Sequence, residues 1–229
     1  MRNGSVIVIS LLLSACVAVT PGVTNNTNSA DTRQSSCTEE LAGDTSVRLD
    51  MVQQLMEDGR LHAALAHLDE LDSDSVQATY LRAEILRQSD RSDDAKLLYQ
   101  VLTETCFAGQ GHHGLGLIAG RQQQLAEAEL QLAKAAGLLP VNARIRNDYG
   151  YALLMNGKFA DARHEFLTAI ELDGGSRLAE TNMVILLLLQ DQQAKAKSFA
   201  SKLNMDSQTL ADLQLQAEAL AKQIPTATP

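Results

Sequence analysis

A pattern that recurs every 34 residues constrains the fold of this chain more than any other feature. Small and apolar residues at five positions of one stretch return in the next stretch at the same spacing. The first set is Gly116, Ala128, Leu132, Ala135 and Pro140, and the second is Gly150, Ala162, Phe166, Ala169 and Gly174. An internal repeat of this length predicts a solenoid, in which each unit buries its apolar face by stacking on its neighbours.

The composition indicates that the units are helical. Hydrophobic residues make up 45% of the 229 residues, but only 3% are aromatic and tryptophan is absent. Alanine and leucine, which are good helix formers, dominate instead. Pro140 is the only proline between Pro21 and Pro225. We therefore predict an all-α fold.

Weaker units flank the two clear ones. Ala64, Ala95 and Ala196 extend the alanine series in steps of 31, 33 and 34 residues, and the short steps predict shortened turns. Residues 206–223 predict one more amphipathic helix, with Asp206 or Ser207 as its N-cap, that covers the open end of the stack. The apolar run Met183–Leu189 is too short to span a bilayer. It is either buried beneath that helix or exposed as a contact surface.

The stretch 147–162 (NDYGYALLMNGKFADA) resembles the tetratricopeptide-repeat family, with Gly150 in the first helix, Gly157 at the turn and Ala162 in the second helix. The resemblance implies a right-handed superhelical solenoid of about five helix pairs with a C-terminal capping helix. It also implies that Gly150 and Ala162 mark a helix crossing, and that Leu132 and Phe166 fill the groove towards the next unit. In the family, the first helices line a concave surface that binds partners. The residues in that register are Tyr80, Glu84, Arg87, His113, Leu117, Arg144, Asn147, Tyr151 and Leu154. They either bind a protein or are ordinary exposed scaffold residues.

The N-terminus has the features of a targeting segment. Arg2 precedes an apolar run that ends in Leu13-Ser14-Ala15-Cys16, and this tetrapeptide resembles the bacterial lipobox. The expected organisation is a signal peptide at 1–15, a lipidated Cys16 followed by a flexible linker to residue 44, repeats over 45–223 and a tail over 224–229. An ordinary secretory signal is the alternative. Val17, rather than Asp, after Cys16 implies the periplasmic face of the outer membrane, with membrane contact through the lipid anchor only.

Export also bears on the two remaining cysteines. In an oxidising compartment Cys37 and Cys106 form either a disulfide or two free thiols, and the sequence does not choose between them.

Several functional classes are disfavoured. A net charge of −9 opposes nucleic-acid binding. The G-x-G-x-x-G at 109–114 lacks the preceding strand that a dinucleotide site needs. The histidines are not spaced as metal ligands, so we expect neither a metal nor a cofactor. No hydrolase motif is present, and an envelope hydrolase using Cys106 is a remote alternative.

Two runs carry a finer resemblance. Residues 146–154 (RNDYGYALL) and 181–190 (TNMVILLLLQ) look like the TadD family of tight-adherence (Flp) pilus assembly lipoproteins. This implies an adaptor that aids a secretin, or another pilus assembly component, to localise or assemble. An adaptor for cell-wall or outer-membrane assembly enzymes is the alternative within the same class.

Overall fold

A computed structural model describes residues 43–71, 75–174 and 177–225, and every regular element in these ranges is an α-helix. The helices are α1 (Gly43–Glu57), α2 (Leu61–Asp69), α3 (Val76–Gln88), α4 (Ser92–Leu102), α5 (Ala108–Arg121), α6 (Leu125–Leu138), α7 (Ala143–Met155), α8 (Phe159–Leu172), α9 (Arg177–Leu189), α10 (Gln193–Lys202) and α11 (Ser207–Ala221). The predicted signal peptide, Cys16 and Cys37 lie outside the described residues.

The helices stack as five pairs. Each odd-numbered helix from α1 to α9 packs on the even-numbered helix that follows it, and the odd-numbered helices also contact one another in succession. The last helix, α11, packs on α9. This arrangement confirms the predicted helical solenoid and its C-terminal extra helix. Within the described ranges, none of the helices combines the length and apolarity needed to cross a bilayer.

Every pair closes through the same three-residue turn. Its middle residue has a positive φ in all five pairs, at Gly59, Asp90, Gln123, Gly157 and Asp191. The next amide N–H donates to a carbonyl five residues back, at 2.8–2.9 Å. This is the 6→1 bond of a Schellman motif, which satisfies a carbonyl left free at the end of a helix.

The same turn also fixes the position of the repeated alanine in each second helix. The last turn residue accepts a hydrogen bond from the amide of the alanine four positions on, at 2.9–3.1 Å in every pair. Because all five turns have one length, the prediction of shortened turns is wrong. The short steps arise in the second helices: α2 has 9 residues and α4 has 11, whereas α6 and α8 each have 14.

Polar side chains fix the starts of three helices. Ser75, Asn142 and Asp206 each accept a hydrogen bond from the backbone N–H three residues on, which satisfies a free donor of α3, α7 and α11. At Asp206 the bond is 2.7 Å and lowers the pKa of the carboxyl. The predicted N-cap of the last helix is therefore confirmed at Asp206.

Two glycines make room for large side chains. A Cβ at Gly150 would lie 2.8 Å from the Phe166 ring, and one at Gly116 would lie 2.6 Å from Leu132 Cγ. The close approach at Gly150 is thus to Phe166, not to Ala162 as the sequence suggested. Leu132 and Phe166 fill space opened by a glycine of their own unit, although Phe166 also joins the core that extends to α9.

The glycines of the 109–114 motif serve helix packing. A Cβ at Gly109 would meet Leu139, and one at Gly111 would meet the Tyr99 carbonyl at 2.8 Å. A Cβ at Gly114 would lie 2.2 Å from the Tyr99 ring. These residues are glycine because α5 approaches its neighbours too closely for a side chain.

The largest core cluster lies at the C-terminal end. Residues 183–188 are all buried there with Leu213, Ala217 and Leu220 of α11, which confirms that the apolar run is covered. The structure moves the predicted boundaries slightly, because α1 already includes Gly43 and Asp44. Ile224, assigned to the tail, bonds back to Leu220 and lies 3.6 Å from the Cβ position of Gly157.

Candidate partner-binding groove

A cavity of about 490 Å³ lies along the successive first helices α5, α7 and α9. Three residues of α6, Gln216 of α11 and Gln223, which follows α11, also line it. The cavity combines leucine, methionine and tyrosine side chains with carboxamides and one carboxylate. Its lining includes Leu117, Arg121, Asn147, Asp148, Tyr151, Met155, Leu178, Asn182, Gln216 and Gln223. We call this cavity the concave groove.

A chain of hydrogen bonds joins the three first helices. His113 Nε2 lies 2.7 Å from Asp148 Oδ2, and Asp148 Oδ1 accepts from Asn147 Nδ2 at 3.2 Å. Asn147 Oδ1 in turn accepts from Asn182 Nδ2 at 2.8 Å. His113, Asn147 and Asn182 are buried, so the chain fixes their orientation. It provides a rigid polar edge across α5, α7 and α9.

Tyr151 is the aromatic residue of the concave groove. It is partly exposed, and burial raises the pKa of its hydroxyl above the ordinary 10.0. The hydroxyl is therefore protonated at neutral pH and available as a neutral hydrogen-bond donor. Tyrosine is a frequent anchor at protein interfaces because it offers a large rigid surface with a polar tip.

Tyr80 and Arg144 lie outside the cavity: Tyr80 is on α3, the first helix of the second unit, and Arg144 is in the first turn of α7. The Tyr80 ring packs against Phe107, with centroids 5.6 Å apart, and burial is the main cause of its raised pKa. The charge of Arg144 acts in the opposite direction, which places this exposed residue within electrostatic reach of Tyr80. Neither residue lines the concave groove.

Two of the predicted binding residues, Arg87 and Leu154, do not line the concave groove. The Arg87 guanidinium bonds Glu84 at 2.7 Å and the Tyr99 hydroxyl at 3.3 Å, so it is committed to a buried cluster inside the second unit. Leu154 has 0% exposure and belongs to the core shared with α9. The expectation that Leu154 lines the binding surface is therefore wrong. Of the predicted residues, Leu117, Asn147 and Tyr151 line the concave groove, and His113 bonds the groove residue Asp148.

Sequence reasoning missed the lining from α11 and the residues that follow it. Gln216 and Gln223 line the cavity there, and Leu178 and Asn182 extend it along α9. Asn182 follows Asn147 by 35 residues, one more than the repeat, as Asp148 follows His113. A register search that allowed this one-residue step would have found Asn182. Nothing in the sequence indicates which face of the stack α11 covers.

Comparison with known proteins identifies the class. No family model matches the chain. Over 174 residues it is 40% identical to the TPR repeat-containing protein PA4299 of Pseudomonas aeruginosa PAO1, covering 76% of this chain and 71% of that protein. The chain therefore belongs to the tetratricopeptide-repeat (TPR) proteins, which are helical scaffolds for protein–protein interaction and generally non-catalytic.

Solved structures share the fold. The structure from the functional characterization of Pseudomonas aeruginosa pilF matches with a TM-score of 0.61 and 17% identity, over 83% of this chain and 89% of that one. YrrB, described as a TPR protein with an unusual peptide-binding site, matches with a TM-score of 0.51 and 22% identity, over 76% and 88%.

The chemical state of Cys106 bears on the alternative that the chain is an envelope hydrolase. Its sulfur is disulfide-bonded. A disulfide sulfur is not a thiolate, so in this state Cys106 is not a nucleophile. Cys37 lies outside the described residues, and its pairing with Cys106 stays a prediction. Within the described ranges, no group of three or more histidine, cysteine, aspartate or glutamate side chains is placed to hold a metal ion.

Proposed function

We propose that this chain is an outer-membrane lipoprotein adaptor of tight-adherence pilus assembly that binds a segment of a secretin in its concave groove. The observation that carries the proposal is the cavity beside the polar edge joining α5, α7 and α9. The lipobox resemblance at Cys16 supports an anchor on the periplasmic face. Several acyl chains would give lasting attachment, whereas one is marginal. The TadD-like runs support the pilus role.

The groove chemistry suits an extended peptide. A peptide without internal hydrogen bonds needs partners for its backbone N–H and C=O groups when it leaves water. The carboxamides of Asn182, Gln216 and Gln223 line the groove and can both donate and accept. Leu117 and Tyr151 supply apolar contact for the side chains between them. The groove residues include no cluster of like charges, so the favoured segment is neutral and mixed in polarity.

Photo-crosslinking from position 151 tests this function. A benzophenone amino acid replaces Tyr151 in the intact envelope, and mass spectrometry identifies the adduct. The matched control carries the same group at Leu130, which is 50% exposed on α6 and does not line the groove. We expect a secretin adduct from position 151, none from position 130, and enrichment in the outer-membrane fraction that a Cys16→Ser variant abolishes.

Three other outcomes would change or remove the proposed function. A wall enzyme or an outer-membrane assembly factor in the adduct would replace the pilus role with the alternative adaptor function. Equal crosslinking from both positions would show that the concave groove is not the binding site. Unchanged secretin multimers in a deletion strain would remove the pilus role altogether.

A further inference from the structure

A second groove opens between the second helices α8 and α10, above α9. Its volume is about 300 Å³. Four apolar side chains line it: Met183 and Leu187 are buried and form the floor, whereas Phe199 is partly exposed and Leu167 is 42% exposed. Three cationic side chains and one hydroxyl complete the lining, from Arg163, Lys195, Ser198 and Lys202. We call it the basic groove, and no residue lines both it and the concave groove.

The first two units contain the same groove with a different charge pattern. A cavity of about 420 Å³ lies between α2 and α4, above α3. Counted from the buried alanine of each helix, Asp69 takes the place of Leu167, and Asp94 takes that of Lys195. Its charged groups neutralise one another, because Arg82 pairs with Asp69, and Arg91 pairs with Asp94 at 2.7 Å.

The positive charges of the basic groove are not neutralised in this way by ion pairs among the described residues. Among the residues that line it none is acidic, and α10 carries three lysines without a single acidic residue. Within the described ranges, Lys195 and Lys202 form no ion pair. Arg163 donates to the neutral carboxamide of Gln190. These cations form a local excess in a chain whose net charge is −9.

We propose that the basic groove is a second docking surface, for an acidic segment of a partner protein with an apolar anchor between two carboxylates. Lys195 and Lys202 are seven residues apart on one helix, which separates them by about 10 Å along its axis. The two carboxylates of the segment would stand at a similar separation. The side chain between them would rest on Phe199 and Leu187.

The geometry favours a protein segment over a lipid surface. A helix that binds a bilayer projects its apolar side chains into the headgroup region, with the cations beside or behind them. Here the order is reversed: Met183 and Leu187 are only 3% and 5% exposed, beneath the lysines. A recessed apolar floor accepts an inserted side chain, which a flat membrane does not offer.

The test uses the purified lipidated protein in detergent and a fluorescent acidic peptide with a leucine between two glutamates. Fluorescence anisotropy compares the wild type with Lys195→Glu/Lys202→Glu. The control is Lys197→Glu, a single reversal of charge on the same helix outside the groove, to be compared with Lys195→Glu alone as well as with the double variant. We expect the double variant to weaken binding about tenfold, since two attractions become repulsions, and the control to change it less than twofold.

Further variants and ligands distinguish specific peptide binding from non-specific attraction and from membrane binding. Leu167→Ser should also weaken binding, because it removes an apolar side chain of the groove lining without altering charge. Equal losses in the double variant and Lys197→Glu, or equal binding of a scrambled peptide, would show non-specific attraction and overturn the proposal. Binding of phosphatidylglycerol vesicles through Lys195 and Lys202 without peptide binding would overturn it in favour of a membrane surface. Crosslinking from position 151 should persist in the double variant, so failure here is distinct from failure of the concave groove.

Discussion

At the scale of single residues, Glu84 shows how a solenoid unit holds a buried charge. Burial by itself would raise the pKa of this carboxyl. The hydrogen bond and positive charge of Arg87, with bonds from Tyr99 and Gln88, outweigh that effect and lower the pKa below its ordinary 4.5. Because the folded-state pKa is lowered, the cluster stabilises the fold above pH 4.5, and this contribution is lost as the pH falls through the folded-state pKa.

A Glu84→Gln variant should therefore lose stability in a pH-dependent way. Removing one partner of a buried ion pair costs about 3 kcal/mol, and we expect a loss of that size in the free energy of unfolding at pH 7. The penalty should shrink as the pH falls below 4.5, because the unfolded wild type then binds a proton at this carboxyl, and it should level off once the folded-state carboxyl is protonated too. Denaturant unfolding at pH 7 and at pH 3 measures both values, with the exposed Glu218→Gln as control. A penalty that is the same at both pH values would contradict this account.

The wrong predictions for Leu154 and Arg87 have the same physical cause. Helical periodicity puts Asn147, Tyr151 and Leu154 on one side of α7, but it does not show where that side passes from solvent to the neighbouring helix. Leu154 lies on the buried part of it and Tyr151 on the open part. Arg87 was placed on the concave surface by the register of the first helices alone. The side chain that helps to bury it, Tyr99, comes from the next helix and is not visible in the local sequence.

At the scale of elements, the turns are more regular than the sequence. Only Gly59 and Gly157 carry the glycine that favours a positive φ, whereas Asp90, Gln123 and Asp191 adopt the same conformation with a side chain. The Schellman bond and the packing of each helix pair impose the conformation on all five. Turn glycines therefore did not decide what the sequence could predict. The third unit was recovered from its repeat spacing although its turn has Gln123, and the first unit, with Gly59, was among the weaker ones.

This regularity predicts opposite effects of alanine at two glycines. Nothing lies within 4 Å of the Cβ position at Gly59 or Gly137, so neither substitution creates a clash. Gly59→Ala should destabilise the protein by about 1 kcal/mol, because an L-residue is strained at φ 72°. Gly137→Ala, inside α6 at an ordinary helical φ, should stabilise it by about 0.5–1 kcal/mol. Thermal unfolding of both variants checks the signs, and destabilisation of equal size in both would refute the role assigned to φ.

At the scale of the whole molecule, α11 both caps the stack and shapes the concave groove. The sequence predicted an amphipathic helix here because its apolar positions recur with helical spacing. It did not predict that the helix would also line the cavity, because a pattern shows that a face is buried but not which neighbour buries it. Through Ile224 the segment after α11 also reaches the turn at Gly157. The end of the chain thus joins the fifth unit to the fourth.

The effect of loosening α11 should stay local. Leu220 is 8% exposed and packs in the core with α9, whereas Leu215 on the same helix is 66% exposed. Leu220→Ala should cost about 2–3 kcal/mol, and Leu215→Ala should cost little. Because solenoid units interact chiefly with their neighbours, hydrogen exchange should speed up in α9, α10 and α11 and stay unchanged in α1 to α4. If exchange in α1 to α4 accelerated equally, the whole solenoid would open as one cooperative unit. Local acceleration would instead show that α11, which lines the concave groove, can open without unfolding the N-terminal units.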